Sequence, residues 1–250
     1  MGKGKATYFL SDLHLGARYF KSPRDKEMRV VRFLNSVKDT AEAVYLVGDV
    51  LDYWYEYRYV VPRGFVRFFG KLAELSDAGV KVTWLIGNHD IWIFDYLPAE
   101  LGIEVVDGVL TREIGGKLFF VTHGDGVGKL PRSFKFLRSL FRNKLCQKMY
   151  AALNPRWTIP LACGWSSKNR HGHPVASPYE GRGKEPLMVF AEQYSALNPG
   201  IDYYIFGHRH ILVDETIADG RHAVILGEWI DMCSYAKFEN GRLTLHKFEG

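Results

Sequence analysis

The 250-residue sequence has few cysteines, no long apolar run and no internal repeat or low-complexity segment. The three cysteines, Cys146, Cys163 and Cys233, form no closely spaced pair. That argues against a disulfide framework or a zinc ribbon and favours a reducing compartment. No window of about 18 residues is continuously apolar, so no membrane-spanning helix is predicted. We expect a cytoplasmic protein without a signal segment, because the polar first residues run directly into a predicted strand.

What is present is typical of one large globular domain with a small appended module. Apolar residues make up 47% of the chain and charged residues 24%. In the first third, strands predicted at 7–10, 43–47 and 80–86 are separated by amphipathic helices at 24–37 and 65–75. This order predicts a parallel sheet covered by helices.

Shorter alternating runs follow residue 102 and indicate a second group of strands. Two of them, 109–114 and 117–122, flank Gly115-Gly116, which is a hairpin signal. The other strands are predicted at 202–206, 211–216 and 221–226, with a last hairpin around Asn240-Gly241.

The segment 127–190 matches neither pattern. It contains 12 Lys and Arg but two acidic residues, a formal charge of +10, while the rest of the chain sums to −5. Helical signals at 131–152 give way to a predicted Gly-, Pro- and Ser-rich loop at 154–183. We interpret 127–190 as an insertion that caps the ligand-bearing edge of a core formed by 1–126 and 191–250, a sandwich of two mixed sheets with outer helices.

Polar side chains recur at the ends of five predicted strands. The stretch 85–90 shows the pattern. An apolar run stops at Gly87, and the polar residues Asn88, His89 and Asp90 come next. Open α/β sheets bind ligands at such strand ends. The seven candidate ligands at these ends are Asp12, His14, Asp49, Asn88, His123, His208 and His210.

These seven side chains offer oxygen and nitrogen donors and no thiolate, which suits manganese, iron, zinc or cobalt better than calcium or magnesium. Seven ligands exceed what one ion needs but fit two ions that share a carboxylate. Asp49 is the candidate bridge, because the other ligands divide evenly around it. If strand geometry continues, Asp12 and His14 point the same way, as do His208 and His210.

The motifs resemble those of the calcineurin-like metallophosphoesterases. They are Asp12-x-His14, Gly48-Asp49-x-x-Asp52, Gly87-Asn88-His89-Asp90, Thr122-His123-Gly124-Asp125 and Gly207-His208-x-His210, in family order. The resemblance implies a four-layer α/β/β/α sandwich and a centre of two divalent ions, for which we favour manganese. It also implies that His89 faces the leaving group and is oriented by Asp52.

The resemblance further divides the ligands between the two ions and points to a substrate. Asp12, His14, Asp49 and His210 would hold one ion, and Asp49, Asn88, His123 and His208 the other.

Tyr53 stands where the protein phosphatases of this superfamily have Arg. The run 52–57, the length and the basic insertion resemble UDP-2,3-diacylglucosamine pyrophosphohydrolases of lipid A synthesis, especially the Bacteroidetes type. The best-known branch of those enzymes has Arg at the position of His89 and Glu at that of Asp52.

A lipid-linked nucleotide substrate would agree with the composition of the insertion, which mixes basic residues with eight aromatics. Such a cap can lie on an anionic membrane face, here the inner face of the inner membrane, and receive acyl chains. Lys168 and Arg170 can meet the diphosphate, together with Asn88, His89 and His208. Two alternatives remain open: a nucleotide phosphodiesterase or nuclease, and a non-catalytic scaffold. We expect no nucleic-acid partner, because no nucleic-acid-binding signature is present.

Overall fold

The computed structural model describes residues 5–128, 130–171 and 178–250, with side chains described throughout except at 165–171. The strands are β1 (Ala6–Leu10), β2 (Ala41–Val47), β3 (Lys81–Leu85), β4 (Glu104–Val106), β5 (Val109–Ile114), β6 (Lys117–Thr122), β7 (Tyr203–Phe206), β8 (Leu212–Thr216), β9 (His222–Leu226), β10 (Ser234–Glu239) and β11 (Arg242–Lys247). The helices are α1 (Pro23–Val37), α2 (Val66–Asp77), α3 (Tyr96–Leu101), α4 (Arg132–Arg142), α5 (Lys144–Ala151), α6 (Pro155–His171) and α7 (Pro186–Leu197).

The strands form two mixed sheets. The first has the order β11-β10-β1-β2-β3-β4, in which β1 to β4 are parallel and β10 and β11 are antiparallel. The second has the order β5-β6-β7-β9-β8, with a parallel centre at β6, β7 and β9 and antiparallel edges. Short connections join β5 to β6, β8 to β9 and β10 to β11 as antiparallel pairs. Helices lie between most parallel neighbours, whereas β8 lies between the parallel strands β7 and β9 in the chain.

Three apolar clusters hold four layers together. Between α1, α2 and the first sheet lie Phe33, Phe68 and Trp84. Between the two sheets, the Phe119 ring stacks on Phe9 with 5.6 Å between ring centroids. A third cluster joins the second sheet to α7. The four-layer α/β/β/α sandwich expected from the resemblance is therefore confirmed.

The observed strands agree closely with the predicted ones, but two short elements were not predicted. The helix α3 has six residues and β4 has three, and neither is long enough to display a period of its own. The strand β4 extends the parallel part of the first sheet.

The loop predicted at 154–183 is wrong over its first half, because α6 forms there despite an internal Pro160. The side chain of Asn154 caps the helix by accepting from the Arg156 backbone N–H at 2.9 Å. The hydroxyl of buried Thr158 also hydrogen-bonds Tyr57 at 2.6 Å. The Pro, Gly and Ser content of this segment predicts a loop, but these contacts stabilise it as a helix.

The helix α7 crosses the predicted boundary at residue 190. Its residues Leu187, Met188 and Ala191 are buried against the second sheet, so α7 forms the outer layer on that side. The division into core and insertion stays a prediction. In the ranges that the structure describes, no helix combines the length and the apolar character needed to cross a bilayer.

Candidate metal centre

Five strands from the two sheets end at one edge, and the loops that follow them contact one another. The His14 backbone N–H donates to the Asp49 carbonyl at 2.9 Å, which joins the loops after β1 and β2. The Gly207 N–H donates to the His123 carbonyl at 2.9 Å, which joins the loops after β6 and β7. The His208 N–H donates to the Asp12 carboxylate at 2.9 Å and so links the two sheets. The predicted ligands are therefore delivered to one place.

A first cluster brings Asp12, His14 and His210 together. Nε2 of His210 lies 3.2 Å and Nε2 of His14 lies 3.6 Å from Asp12 Oδ1. The two imidazole Nε2 atoms are 3.3 Å apart. One donor atom from each residue thus lies within 4.8 Å of the others, a spacing that can hold a metal ion.

A second cluster brings Asp49, His123 and His208 together, again with donor atoms within 4.8 Å of one another. Nε2 of His123 lies 3.4 Å from Asp49 Oδ2. The same oxygen lies 3.8 Å from His14 Nε2, in the first cluster. The Asp49 carboxylate therefore lies between the two clusters, as a shared ligand would.

Five of the seven predicted ligands have left-handed backbone conformations, so strand geometry does not continue into them. They are Asp12, His14, Asp49, His208 and His210, with φ between 45° and 67°. Each such residue costs of order 1–3 kcal/mol and persists where the surroundings enforce it. Asp12 and His14 converge as expected, although not through the two-residue period of a strand, whereas His208 and His210 belong to different clusters. The condition that strand geometry continues is therefore not met.

The donor atoms fit divalent cations. Within the described part of the chain, the buried atoms Asn88 Oδ1 and His123 Nε2 have no hydrogen-bond partner. Nδ1 of His123 donates to the Val47 carbonyl at 2.9 Å, so Nε2 is the ring nitrogen that faces the site. Buried polar atoms without partners call for a ligand, and a divalent cation would supply one here.

Electrostatics favour the ligand forms of Asp12, Asp49 and His208. Burial alone would raise the pKa of Asp12 and Asp49, but His210 beside Asp12 and His123 beside Asp49 hold both pKa values well below the usual range. Burial, aided by His123, lowers the pKa of His208 to about 4. Both carboxylates are therefore ionised at neutral pH, and His208 is neutral with a free lone pair. Burial alone would lower the pKa of His123, but the Asp49 carboxylate raises it well above the usual value, so a cation bound there would displace the proton on Nε2.

His89 forms a third group with His14 and Asp49, whose donor atoms also lie within 4.8 Å of one another, and Asp52 contacts the His89 ring. Nδ1 of His89 donates to the Asp52 backbone carbonyl at 3.1 Å, and the Asp52 carboxylate lies 3.6 Å from the same nitrogen. Nε2 of His89 is 3.9 Å from Asp49 Oδ2. Asp52 thus contacts His89 through its main chain and its side chain. Both residues line a cavity of about 300 Å³, which Asn88 also lines.

Asp90 is a site residue for which the sequence interpretation gave no role. It is fully buried and accepts from the backbone N–H groups of Gly87 at 2.7 Å and Val50 at 2.9 Å. Burial, with the nearby Asp49 charge, raises the pKa of Asp90 to about 6. Its carboxylate joins the loops that carry Asp49 and Asn88. The sequence signal for Asp90 was its position in the third motif, directly after His89.

The insertion contacts the site through aromatic side chains. Tyr53 hydrogen-bonds Tyr150 at 3.0 Å, and Tyr55 donates to the Gln147 carbonyl at 2.6 Å. A second cavity of about 450 Å³, lined almost entirely by apolar groups of α4, α5 and α6, shares Trp92 with the cavity at His89. The side chains of Lys168 and Arg170 lie outside the described residues.

Comparison with known proteins gives consistent matches. The sequence model of a family described as calcineurin-like phosphoesterase matches residues 6–212. The chain is 45% identical over 254 residues to a UDP-2,3-diacylglucosamine hydrolase of Porphyromonas gingivalis, covering 97% of each chain. It is 25% identical over 232 residues to a protein of the same name from Nitrosococcus oceani, covering 90% of this chain and 87% of that one. A solved archaeal phosphodiesterase aligns at a TM-score of 0.49 and 14% identity, over 97% and 99% of the two chains.

Replacing Gly87 by Ala should reduce bound metal. A methyl group at Gly87 would clash with the backbone nitrogen and Oδ1 of Asp49, so this carboxylate must move. We expect elemental analysis of Gly87→Ala to find less than half of the wild-type metal content. The control is Gly70→Ala in α2, where a methyl group has open space and Ala favours the helix. Full metal content in Gly87→Ala would contradict the placement of Asp49 at the centre.

Proposed function

We propose that this chain, which belongs to the calcineurin-like phosphoesterase family, hydrolyses the diphosphate of UDP-2,3-diacylglucosamine to UMP and 2,3-diacylglucosamine 1-phosphate. The observation that carries the substrate is the 45% identity, over nearly the whole chain, to a hydrolase named for it. The clusters of Asp and His side chains supply a centre suited to phosphoester chemistry.

The centre would hold two divalent ions, with manganese favoured. Asp12, His14, Asp49 and His210 would hold one, and a second set would hold the other. That second set is Asp49, Asn88, His123 and His208. When bound, such ions activate water and stabilise charge on phosphate oxygens. The shared position of Asp49, 3.4 Å from His123 and 3.8 Å from His14, supports two neighbouring sites.

His89 would stabilise or protonate the leaving group. Its Nδ1 donates to the Asp52 backbone carbonyl, which fixes the direction of the ring. Its side chain is 19% exposed and borders the cavity, whereas Asp52 is buried and holds the ring. Asp52 is thus a positioning residue for His89. Asn88, His208, Lys168 and Arg170 are our further candidates for substrate contact.

The apolar cavity of about 450 Å³ in the insertion would receive the acyl chains. It is lined by Leu140, Met149, Leu153 and Leu161, among others, and its volume lies within the usual range for ligand sites. It shares Trp92 with the cavity at His89, so a diphosphate at the centre and acyl chains in the insertion can belong to one molecule. A nucleotide phosphodiesterase or nuclease would have no use for this apolar space.

The insertion would also contact an anionic membrane from the cytoplasmic side, on the inner face of the inner membrane. Leu145 and Trp157 are exposed by 67% and 71%, on helices that also carry Lys144, Lys148 and Arg156. Exposed apolar side chains beside basic ones are typical of helices that lie at a membrane surface. The enzyme would there meet a substrate whose acyl chains are embedded in lipid.

Release of UMP tests the assignment. Purified protein with manganese is offered UDP-2,3-diacylglucosamine, a cyclic nucleotide and single-stranded DNA in parallel, and UMP is measured by chromatography. We expect UMP release from the first substrate at least about a hundredfold above that of metal-free protein. UMP at background, with turnover of either of the other two substrates, would instead support the phosphodiesterase or nuclease alternative.

The variant His89→Ala separates the proposed catalytic role from metal binding. We expect kcat to fall by about 10²–10⁴, because an acid or electrostatic group at the leaving oxygen is lost. Metal content should stay at the wild-type value in elemental analysis. His222→Ala, at a histidine on β9 that contacts Asp214, serves as the control and should alter neither quantity. Loss of a metal ion from His89→Ala would show that His89 is a ligand.

Binding to lipid vesicles tests the membrane contact. The double variant Leu145→Ser/Trp157→Ser should sediment about tenfold more weakly with phosphatidylglycerol vesicles, because two exposed apolar side chains no longer enter the lipid. Leu197→Ser is the matched control, since Leu197 is 81% exposed on α7, outside the helices α4 to α6. Equal weakening by the control, or no binding of the wild type, would argue against this surface.

A further inference from the structure

Two arginines of α4 face the cavity at the candidate metal centre. Arg138 and Arg142 line the cavity of about 300 Å³ together with Asn88 and His89. Their spacing of four residues places them on one face of the helix. Most of the other side chains that line this cavity are apolar, including Ile91, Trp92, Phe134, Leu137, Phe141 and Ala162. Two guanidinium groups in such surroundings indicate a site for an anion.

Asp125, a residue of the fourth motif, holds Arg138 in place. Nε of Arg138 donates to Oδ2 of the buried Asp125 at 3.0 Å. A terminal nitrogen of the same guanidinium lies where a side chain of Gly126 would be, so the absence of a Cβ there admits it. Asp125 and Gly126 thus fix the direction of the guanidinium, and the Asp125 contact uses one edge of it. A guanidinium group held in one orientation is suited to bidentate contact with phosphate oxygens.

Arg142, one helical turn further on, pairs with an exposed carboxylate, since the Asp107 side chain is 49% exposed. Nη2 of Arg142 donates to Oδ1 of Asp107 at 3.0 Å, and its Nε also contacts that carboxylate. Asp107 follows β4, the edge strand of the first sheet. The buried Asp125 therefore orients Arg138 before any substrate enters, which lowers the entropic cost of binding. The exposed ion pair with Asp107 restrains Arg142 more weakly.

The position of the cavity indicates which phosphate of the substrate the two arginines bind. It lies between the metal-ligand side chain of Asn88 and the apolar cavity, with which it shares Trp92, Phe141 and Ala162. In a substrate with a diphosphate between a nucleoside and an acylated sugar, the phosphate nearer the acyl chains is the sugar-linked one. We propose that Arg138 and Arg142 bind this sugar-linked phosphate, in substrate and product alike; the proposal rests on the function proposed above.

Kinetics on two substrates test the proposal. The variant Arg138→Gln/Arg142→Gln should raise KM for UDP-2,3-diacylglucosamine by about tenfold or more, because charge-assisted hydrogen bonds are lost. The loss of activity on bis(p-nitrophenyl) phosphate, which has a single phosphorus, should be at least about fivefold smaller, because no second phosphate is present. The matched control is Arg132→Gln, an exposed arginine of α4 that does not line the cavity. It removes one positive charge from the same helix.

Binding of the lipid product supplies a readout without turnover. In excess EDTA, 2,3-diacylglucosamine 1-phosphate should raise the Tm of the wild type and of Arg132→Gln, and this shift should be lost in Arg138→Gln/Arg142→Gln. An unchanged Tm shift, or equal loss of activity on both substrates, would overturn the inference and leave UMP release by the wild type intact. Should the wild type release no UMP while the variant still abolishes lipid-phosphate binding, the proposed function fails and the arginine site stands.

Discussion

Burial of carboxylates and imidazoles against one another is the interaction on which the rest of the structure depends. Asp12 and His14 are fully buried and Asp49 is 2% exposed, so their charges are removed from water. A buried carboxylate without compensation costs several kcal/mol. Here the compensation comes from imidazoles at 3.2–3.8 Å and, in the proposed function, from divalent cations. Both sheets must therefore end at the same edge for the site to exist.

This requirement explains the strain in the loops. Left-handed φ values at Asp12, Asp49 and His210 turn the chain away from strand geometry and direct the side chains inward. Hydrogen bonds between loops, such as that from the His208 N–H to Asp12, offset the cost. Gly87 allows its loop to lie directly against Asp49. The loops are thus stable as a set, and a change in one moves its neighbours.

The insertion contacts the loops of the site at residues in or next to the sequence motifs. Tyr53 and Tyr55, one and three residues after Asp52, hydrogen-bond α5, while Asp125, two residues after His123, pairs with Arg138. The segment proposed to recognise the lipid is consequently oriented by the loops proposed to carry the chemistry. Substrate recognition and the metal centre are physically linked in this way, although they belong to different parts of the chain.

The sequence by itself determined the strands other than β4, the helices α1 and α2, the hairpin at Gly115-Gly116 and the types of side chain at the strand ends. These follow from local periodicity and turn chemistry, and the resemblance that rests on the five motifs is confirmed by the comparisons. Only the tertiary structure decided that 155–171 is a helix, that Asp90 joins two loops and that Arg138 meets Asp125. The reason is that each depends on partners distant in the chain, which no local pattern encodes.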